Sequence, residues 1–171
     1  MENATRYKHA TADSLDSQSI KATAISCPDR GYDGGKKIKG RKRHILVDTI
    51  GLIMVVVVTS SAVQDRDGAK ILLRKLSGSC KKLRLIWVDG GYRGALPNWV
   101  RERFKFALSV VLCRDNQKGF KLLPKRWVVE RTFGWLNHNR RLSKDYEVLP
   151  ETSEAMIQLA MIHIMARRLA S

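Results

Sequence analysis

Three carboxylates, Asp16, Asp89 and Glu130, stand where a folded chain puts side chains that must reach a ligand. Asp16 ends a short strand expected over residues 12–16, and Asp89 follows directly on a compact apolar strand expected over 83–88. Open α/β sheets bind ligands at strand ends, where side chains leave the packed layer. Glu130 falls in a helix expected from about 124 to 142. At ~100° per residue, Arg126, Glu130, Asn137 and Arg141 share a narrow polar stripe of that helix, opposite Val128, Val129, Thr132, Trp135, Leu136 and Leu142. Gly134 lies beside the stripe and leaves room there, so Arg126 and Arg141 can hold a phosphate while Glu130 holds a metal. Two Asp and one Glu suit Mg²⁺ or Mn²⁺, hard ions that take a few carboxylates plus water and substrate oxygens. Two such ions about 3.5–4 Å apart can activate the attacking oxygen of a phosphodiester transfer and stabilise the leaving one. Each acid taken singly also fits a plainer role. Asp16-Ser17 can be a turn or cap, Asp89-Gly90-Gly91 a strand-terminating turn, and Glu130 a solvated helix residue.

The charge balance names the partner class. Lys and Arg number 32 against 16 Asp and Glu, a formal net charge of +16. Solubility needs far less, so a polyanion is expected, with double-stranded DNA the candidate. One basic run, Lys36, Lys37, Lys39, Arg41, Lys42 and Arg43, lies among Gly34, Gly35 and Gly40. It reads as a pliable loop over 31–43 that follows a phosphate backbone; phosphate contacts position DNA without reading its sequence. A second cluster, with Arg126, Arg131, Arg140 and Arg141, brackets Glu130. An anionic membrane finds no support. The longest apolar run, near 52–58, is far shorter than the ~20 residues of a span, and residues 1–8 are polar, unlike a signal peptide, so a cytoplasmic location is expected. Cys27, Cys80 and Cys113 lack metal or disulfide spacing and read as reduced thiols. The four Trp read mostly as buried, with Trp127 the nearest to the polar stripe.

The elements that must position the acids follow from hydrophobic period and turn residues. Residues 1–11 read as a loose lead-in and 12–171 as one domain. After the first strand come two β-rich runs, 43–48 and 52–59, paired as a hairpin, then a helix over 67–76 capped by Asp65 or Asp67. The strand 83–88, a helix over 95–104, a strand over 107–113 and two long helices complete the chain. The last helix, 152–169, is apolar almost all round, so it must be buried or lie at an interface. Strand, hairpin, helix, strand, helix, strand, two helices is an α/β layout with helices covering a mixed sheet.

Several ordered motifs resemble insertion-sequence transposases of the Asp-Asp-Glu type. Asp16-Ser17-Gln18-Ser19-Ile20-Lys21 resembles the segment of the first catalytic aspartate, and Trp87-Val88-Asp89-Gly90-Gly91-Tyr92 that of the second. Arg126-Trp127-Val128-Val129-Glu130-Arg131-Thr132-Phe133, with Trp135-Leu136-Asn137 and Arg140-Arg141-Leu142, resembles the glutamate motif. Tyr32-Asp33-Gly34-Gly35, Val47-Asp48-Thr49 and Gln64-Asp65-Arg66-Asp67 continue the likeness, which runs from about 16 to 169. The resemblance implies an RNase H-like fold, catalysis and metal binding by Asp16, Asp89 and Glu130, cleavage at element ends, and 3′-hydroxyl strand transfer by a homo-oligomer on DNA. In the family's broader glutamate signature, Arg126 and Glu130 match, whereas Leu123 stands at the Tyr position and Asn137 at the Lys position. Only fifteen residues precede Asp16, where members usually carry a helical end-recognition region. This resembles the second reading frame of a frameshifted element, working with an upstream product, or a truncated copy. A non-catalytic DNA-binding remnant and a stand-alone nuclease of the same fold are the alternatives.

Overall fold

The computed structural model describes residues 12–23, 30–76, 83–112 and 127–170. The lead-in 1–11, the three cysteines, and the start of the glutamate helix with Arg126 lie outside the described residues.

Six strands form one mixed sheet: β1 (Ala12–Lys21), β2 (Gly31–Asp33), β3 (Ile38–Val47), β4 (Ile53–Ser60), β5 (Leu85–Val88) and β6 (Ala107–Val110). β3 and β4 pair antiparallel as the expected hairpin, and β3 also pairs antiparallel with β1. β5 then joins β1 in parallel and β6 joins β5 in parallel. The main strands therefore lie in the order β4-β3-β1-β5-β6, the RNase H-like arrangement, with β2 added beside the start of β3.

Helices cover both faces. α1 (Asp65–Leu76) and α2 (Leu96–Arg103) bury Leu72, Leu73, Leu96 and Val100 against Leu15, Leu46 and Ile86 on one face. α3 (Trp127–Asn137) and α4 (Pro150–Ala170) bury Val129, Phe133, Leu136 and Ile157 against Ile45, Val47 and Val56 on the other. The alternation of β3 sets this up: Leu46 serves the first layer, while Ile45 and Val47 serve the second. The turn from β3 to β4 is fixed by Asp48, whose Oδ1 accepts the Ile50 and Leu52 N–H groups at 3.0 and 2.8 Å. Gly51 sits there at φ +87°, a conformation glycine takes without penalty, and Thr132 of α3 donates to its carbonyl at 2.8 Å.

Two elements are longer than expected. β1 runs five residues past Asp16, so Asp16 lies within the strand and not at its end. β3 starts at Ile38, so most of the expected basic loop is strand; only Gly34 to Lys37 form a turn. Gly40 reflects this packing: a Cβ there would lie 2.0 Å from the Ile20 carbonyl oxygen across the β1–β3 pair.

Candidate active site

The parallel register sets two acids side by side. Ser14 of β1 pairs with Trp87 of β5. Carried on by two residues, that register puts Asp16 beside Asp89 at the ~4.8 Å spacing of neighbouring strands. Asp16 pairs with Ile45 across β1–β3, so it faces the side covered by α3 and α4. Asp89 caps the short 3-10 turn Gly90–Tyr92, accepting the Gly91 N–H at 2.8 Å. That cap engages one carboxylate oxygen, so the plainer role and the catalytic one are compatible. Asp16 Oδ1 accepts the Ser17 N–H at 2.7 Å.

Tyr92 reports how closely the acids gather. Its hydroxyl is pushed well above the usual phenol range, first by burial, then by the negative fields of Asp16, Asp65 and, less strongly, Asp89. The Ser17 hydroxyl offsets part of this, although it lies outside hydrogen-bond geometry with the buried phenol oxygen.

Glu130 is exposed in the first turn of α3. It opens on a groove of about 370 Å³ together with Ser17, Gln18, Ser19, Lys36 and Asn137. Gly134 forms part of the floor, and a Cβ there would meet nothing within 4 Å, so the space beside Glu130 is real. The Gln18 side-chain amide oxygen is buried on this wall without a hydrogen-bond partner. Among the described residues, no three Asp, Glu, His or Cys side chains converge closely enough to hold a metal ion. The Asp16 and Asp89 pair, both hard oxygen donors, fits a Mg²⁺ or Mn²⁺ ion; Glu130 shares their side of the sheet without closing a cage around one.

Behind β1, on the α1 side, lies a buried polar network. Ser17 Oγ donates to Asp65 at 2.7 Å and Ser19 Oγ to Asp33 at 2.5 Å. Lys42 Nζ bridges the two acids at 3.0 and 3.6 Å. Asp33 falls to a pKa of about 2, chiefly through the Ser19 hydroxyl. Burial opposes ionisation of Asp65, but the Ser17 hydroxyl and Lys42 outweigh it and hold its pKa below the usual carboxylate value. The network fixes β1 from behind, which orients the residues facing the groove. The sequence marked Asp33 and Asp65 only as parts of family-like motifs; their partners lie 14 and 48 residues away.

The basic residues sort differently from the expectation. Arg41 is 0% and Arg43 1% exposed, and Lys42 is also buried, so these three form no DNA surface. The Arg41 guanidinium donates to Asp145 (3.5 Å), the Glu147 carbonyl (3.0 Å), the Val148 carbonyl (2.5 Å) and Ser153 Oγ (3.2 Å). Arg43 donates to the Leu142 carbonyl at 2.9 Å. Both tie β3 to the segment between α3 and α4. Burial lowers the Arg43 pKa to about 10, against the raising influence of Asp145. Arg131 is also held by the fold: its guanidinium lies between the Trp127 and Trp135 rings, 4.4 and 4.7 Å from their centroids, and donates to the Ile50 carbonyl at 3.0 Å. None of the four Trp is fully buried, and Trp127 is exposed. Lys36, Lys37, Lys39 and Arg140 are exposed, and Arg141 is exposed but paired with Glu147 at 2.7 Å.

Comparison with known proteins shows the family. The profile of the "Transposase DDE domain" family matches residues 14–165, so the chain belongs to that family of DDE transposase domains. It is 31% identical over 133 residues to the "Putative transposase for insertion sequence element IS402" of Burkholderia cepacia. That match takes in 70% of this chain and 60% of the relative, so the chain spans under two thirds of the relative's length. A solved structure, the piggyBac transposase synaptic complex with hairpin DNA, aligns with 66% of this chain and 25% of its own at a TM-score of 0.41 and 19% identity. Among the described residues, no helix is long and apolar enough to cross a membrane.

Proposed function

We propose that this chain is the catalytic part of an insertion-sequence transposase, cutting a phosphodiester at element ends and joining the 3′-hydroxyl to target DNA. The observation that carries the reading is the parallel β1–β5 register, which, carried on two residues from Ser14 and Trp87, sets Asp16 beside Asp89, with the helix that bears Glu130 covering the side of the sheet that Asp16 faces. Asp16 and Asp89 would hold divalent metal jointly, with Glu130 as the third acid on the same side of the sheet. Mg²⁺ or Mn²⁺, as two ions, would supply positive charge to the attacking and leaving oxygens. The chain's own residues bind and orient the DNA. Lys36 brings an ammonium to the groove edge beside Glu130, with Asn137 on the helix wall. Lys37, Lys39, Arg140 and Arg141 extend phosphate contact over the exposed surface, and Arg126, outside the described residues, is a further contact expected from its place four residues before Glu130. Joining two ends requires two active sites, so the working form is a homo-oligomer on DNA in the bacterial cytoplasm, at the nucleoid. An upstream reading-frame product can supply end recognition.

Asp89→Asn tests the site. The variant should bind element-end DNA within a few-fold of wild type and lose metal-dependent cleavage. Cleavage at the wild-type rate refutes the assignment. Cutting without joining by the wild type favours the nuclease alternative, and binding without chemistry the remnant.

A further inference from the structure

The acid pair has a cation on each flank. On the β1 side stands Lys36, whose Nζ donates to the carbonyl of Ser17, the residue after Asp16, at 3.5 Å. On the β6 side stands Arg93, put there by the turn after Asp89. The Tyr92 N–H donates to the Asp89 carbonyl and the Arg93 N–H to the Gly90 carbonyl, each at 3.3 Å, so the chain folds back directly after the acid. Tyr92 is buried in the core and anchors the turn. The Arg93 side chain returns across Gly90: a Cβ on Gly90 would lie 3.7 Å from Arg93 Nε, 3.9 Å from its Nη2 and 3.7 Å from Leu112, just past β6. The guanidinium therefore lies within about 9 Å of the Asp89 Cα, given 3.8 Å between consecutive Cα atoms. Arg93 is exposed, and among the described residues its guanidinium pairs with no carboxylate, Asp89 included. The nearby acids of α1 are taken, Asp65 by Ser17 and Lys42 and Asp67 by Lys70. A second guanidinium backs the same loop: Arg66, exposed at the start of α1, donates to the Arg93 carbonyl at 3.4 Å. Gly94 makes room for it, since a Cβ there would lie 3.2 Å from Arg66 Nη1, at a φ of +97° that favours glycine.

We propose that Arg93, with Arg66 beside it, binds a backbone phosphate of the DNA strand next to the scissile bond, on the flank away from Lys36. The inference rests on the transposase reading above. Nucleotides of a strand rise ~3.4 Å each, so the reach from Asp89 to Arg93 puts this phosphate within three nucleotides of the cut. A phosphodiester offers two free oxygens and one charge, which a guanidinium fork meets with two parallel hydrogen bonds. The absence of a carboxylate partner leaves that fork free for it, and two guanidinium groups on one short loop favour an anion between them. The glycines at 90 and 91 bring no side chain to this edge, so a phosphate can approach the backbone closely. A DNA strand laid across the sheet in the order β1, β5, β6 meets Lys36, then Asp16 and Asp89, then Arg93. The two cations hold it on both sides of the acids.

Methylphosphonate scanning tests this by binding alone. Each probe is an element-end duplex in which one phosphate near the cleavage position is replaced by a neutral methylphosphonate. Wild type should bind one such probe, substituted within three nucleotides of the cut, about tenfold more weakly than the unmodified end. Arg93→Ala should bind the unmodified end about tenfold more weakly, lose about 0.9 from the slope of log affinity against log salt, and show no further loss with that probe. Arg93→Lys should keep the slope with its charge and lose a few-fold in affinity with the fork. The side chain is exposed, so both variants should keep the wild-type circular dichroism spectrum. A wild-type slope in Arg93→Ala, wild-type sensitivity in it at every position, or no sensitive position in wild type overturns the proposal. Asp89→Asn keeps the two failures apart, because it should retain the wild-type binding pattern while losing cleavage. If it does so and Arg93→Ala binds as wild type, the phosphate site fails and the transposase reading stands. If Asp89→Asn cleaves as wild type, that reading fails, while the binding pattern still decides Arg93.

Discussion

Replacing Arg41 by methionine separates a DNA-binding role from a role in the fold. The guanidinium is fully buried and holds Asp145, Ser153 and two backbone carbonyls. Methionine fills similar volume but supplies none of those donors. It takes the Arg41 cation from the Asp145 carboxylate, which is 1% exposed. Breaking a buried pair from one side costs about 3–5 kcal/mol. For a domain of this size each kcal/mol moves the melting temperature by about 2–4 °C, so Arg41→Met should melt roughly 10 °C below wild type. Differential scanning calorimetry with Arg140→Ala as the exposed control reads this directly, and the control should melt within ~2 °C of wild type. Arg41→Met melting with the control while losing DNA affinity would refute the reasoning and return Arg41 to the DNA surface.

Two further outcomes follow from the sorted charges. Lys36, Lys37 and Lys39 changed together to alanine should flatten the slope of log affinity for DNA against log salt by about 0.9 per lost phosphate contact; an unchanged slope puts this hairpin away from DNA. Asp13 is fully buried without a hydrogen-bond partner, and burial, helped by Asp48, raises its pKa to about 7. The folded state therefore keeps a proton that the unfolded chain loses near pH 4, and the stability held by that proton is lost as pH rises through 7. His44 acts in the opposite sense: burial depresses it to about 4, so stability is lost as pH falls from 6.5 toward 4. The two slopes offset each other in wild type between pH 4 and 6.5. Asp13→Asn should unmask the His44 slope, and its stability relative to wild type should grow by up to roughly 4 kcal/mol from pH 4 to 8. Urea unfolding across that range checks it, and a pH-independent difference would contradict the buried-acid assignment.

The strand and helix order was legible because apolar period is a local property. The hairpin of β3 and β4, the strand before Asp89, helices α1, α2 and α4 and the mixed α/β class follow from it, whereas the glutamate helix, expected to reach 142, ends at Asn137, and Arg141 leaves its polar stripe for a 3-10 turn capped by Asn139. What stayed hidden depends on partners far along the chain. The first strand was expected to end at Asp16, yet Ser17, Gln18 and Ser19 continue β1, because Asp65 and Asp33 satisfy the two serines from behind. The run Lys39 to Arg43 read as part of a pliable loop that follows a phosphate backbone. In the strand, alternate residues turn to opposite faces: Arg41 and Arg43 find acceptors near Leu142 and Asp145, and Lys42 finds Asp33 and Asp65. A local count of charges cannot distinguish a buried, paired arginine from an exposed one. Within the candidate site, the placement of Asp89 just after a strand was legible, while the adjacency of Asp16 to it needed the β1–β5 register, which no spacing in the sequence encodes.

The central claim is tested most directly by strand joining. Labelled, pre-nicked element ends and a target plasmid are incubated with Mg²⁺ or Mn²⁺ and either wild type or Glu130→Gln. The account predicts metal-dependent joined product with wild type and none with Glu130→Gln, at equal DNA binding. Equal joining by both proteins would remove Glu130 from the active site and contradict the account.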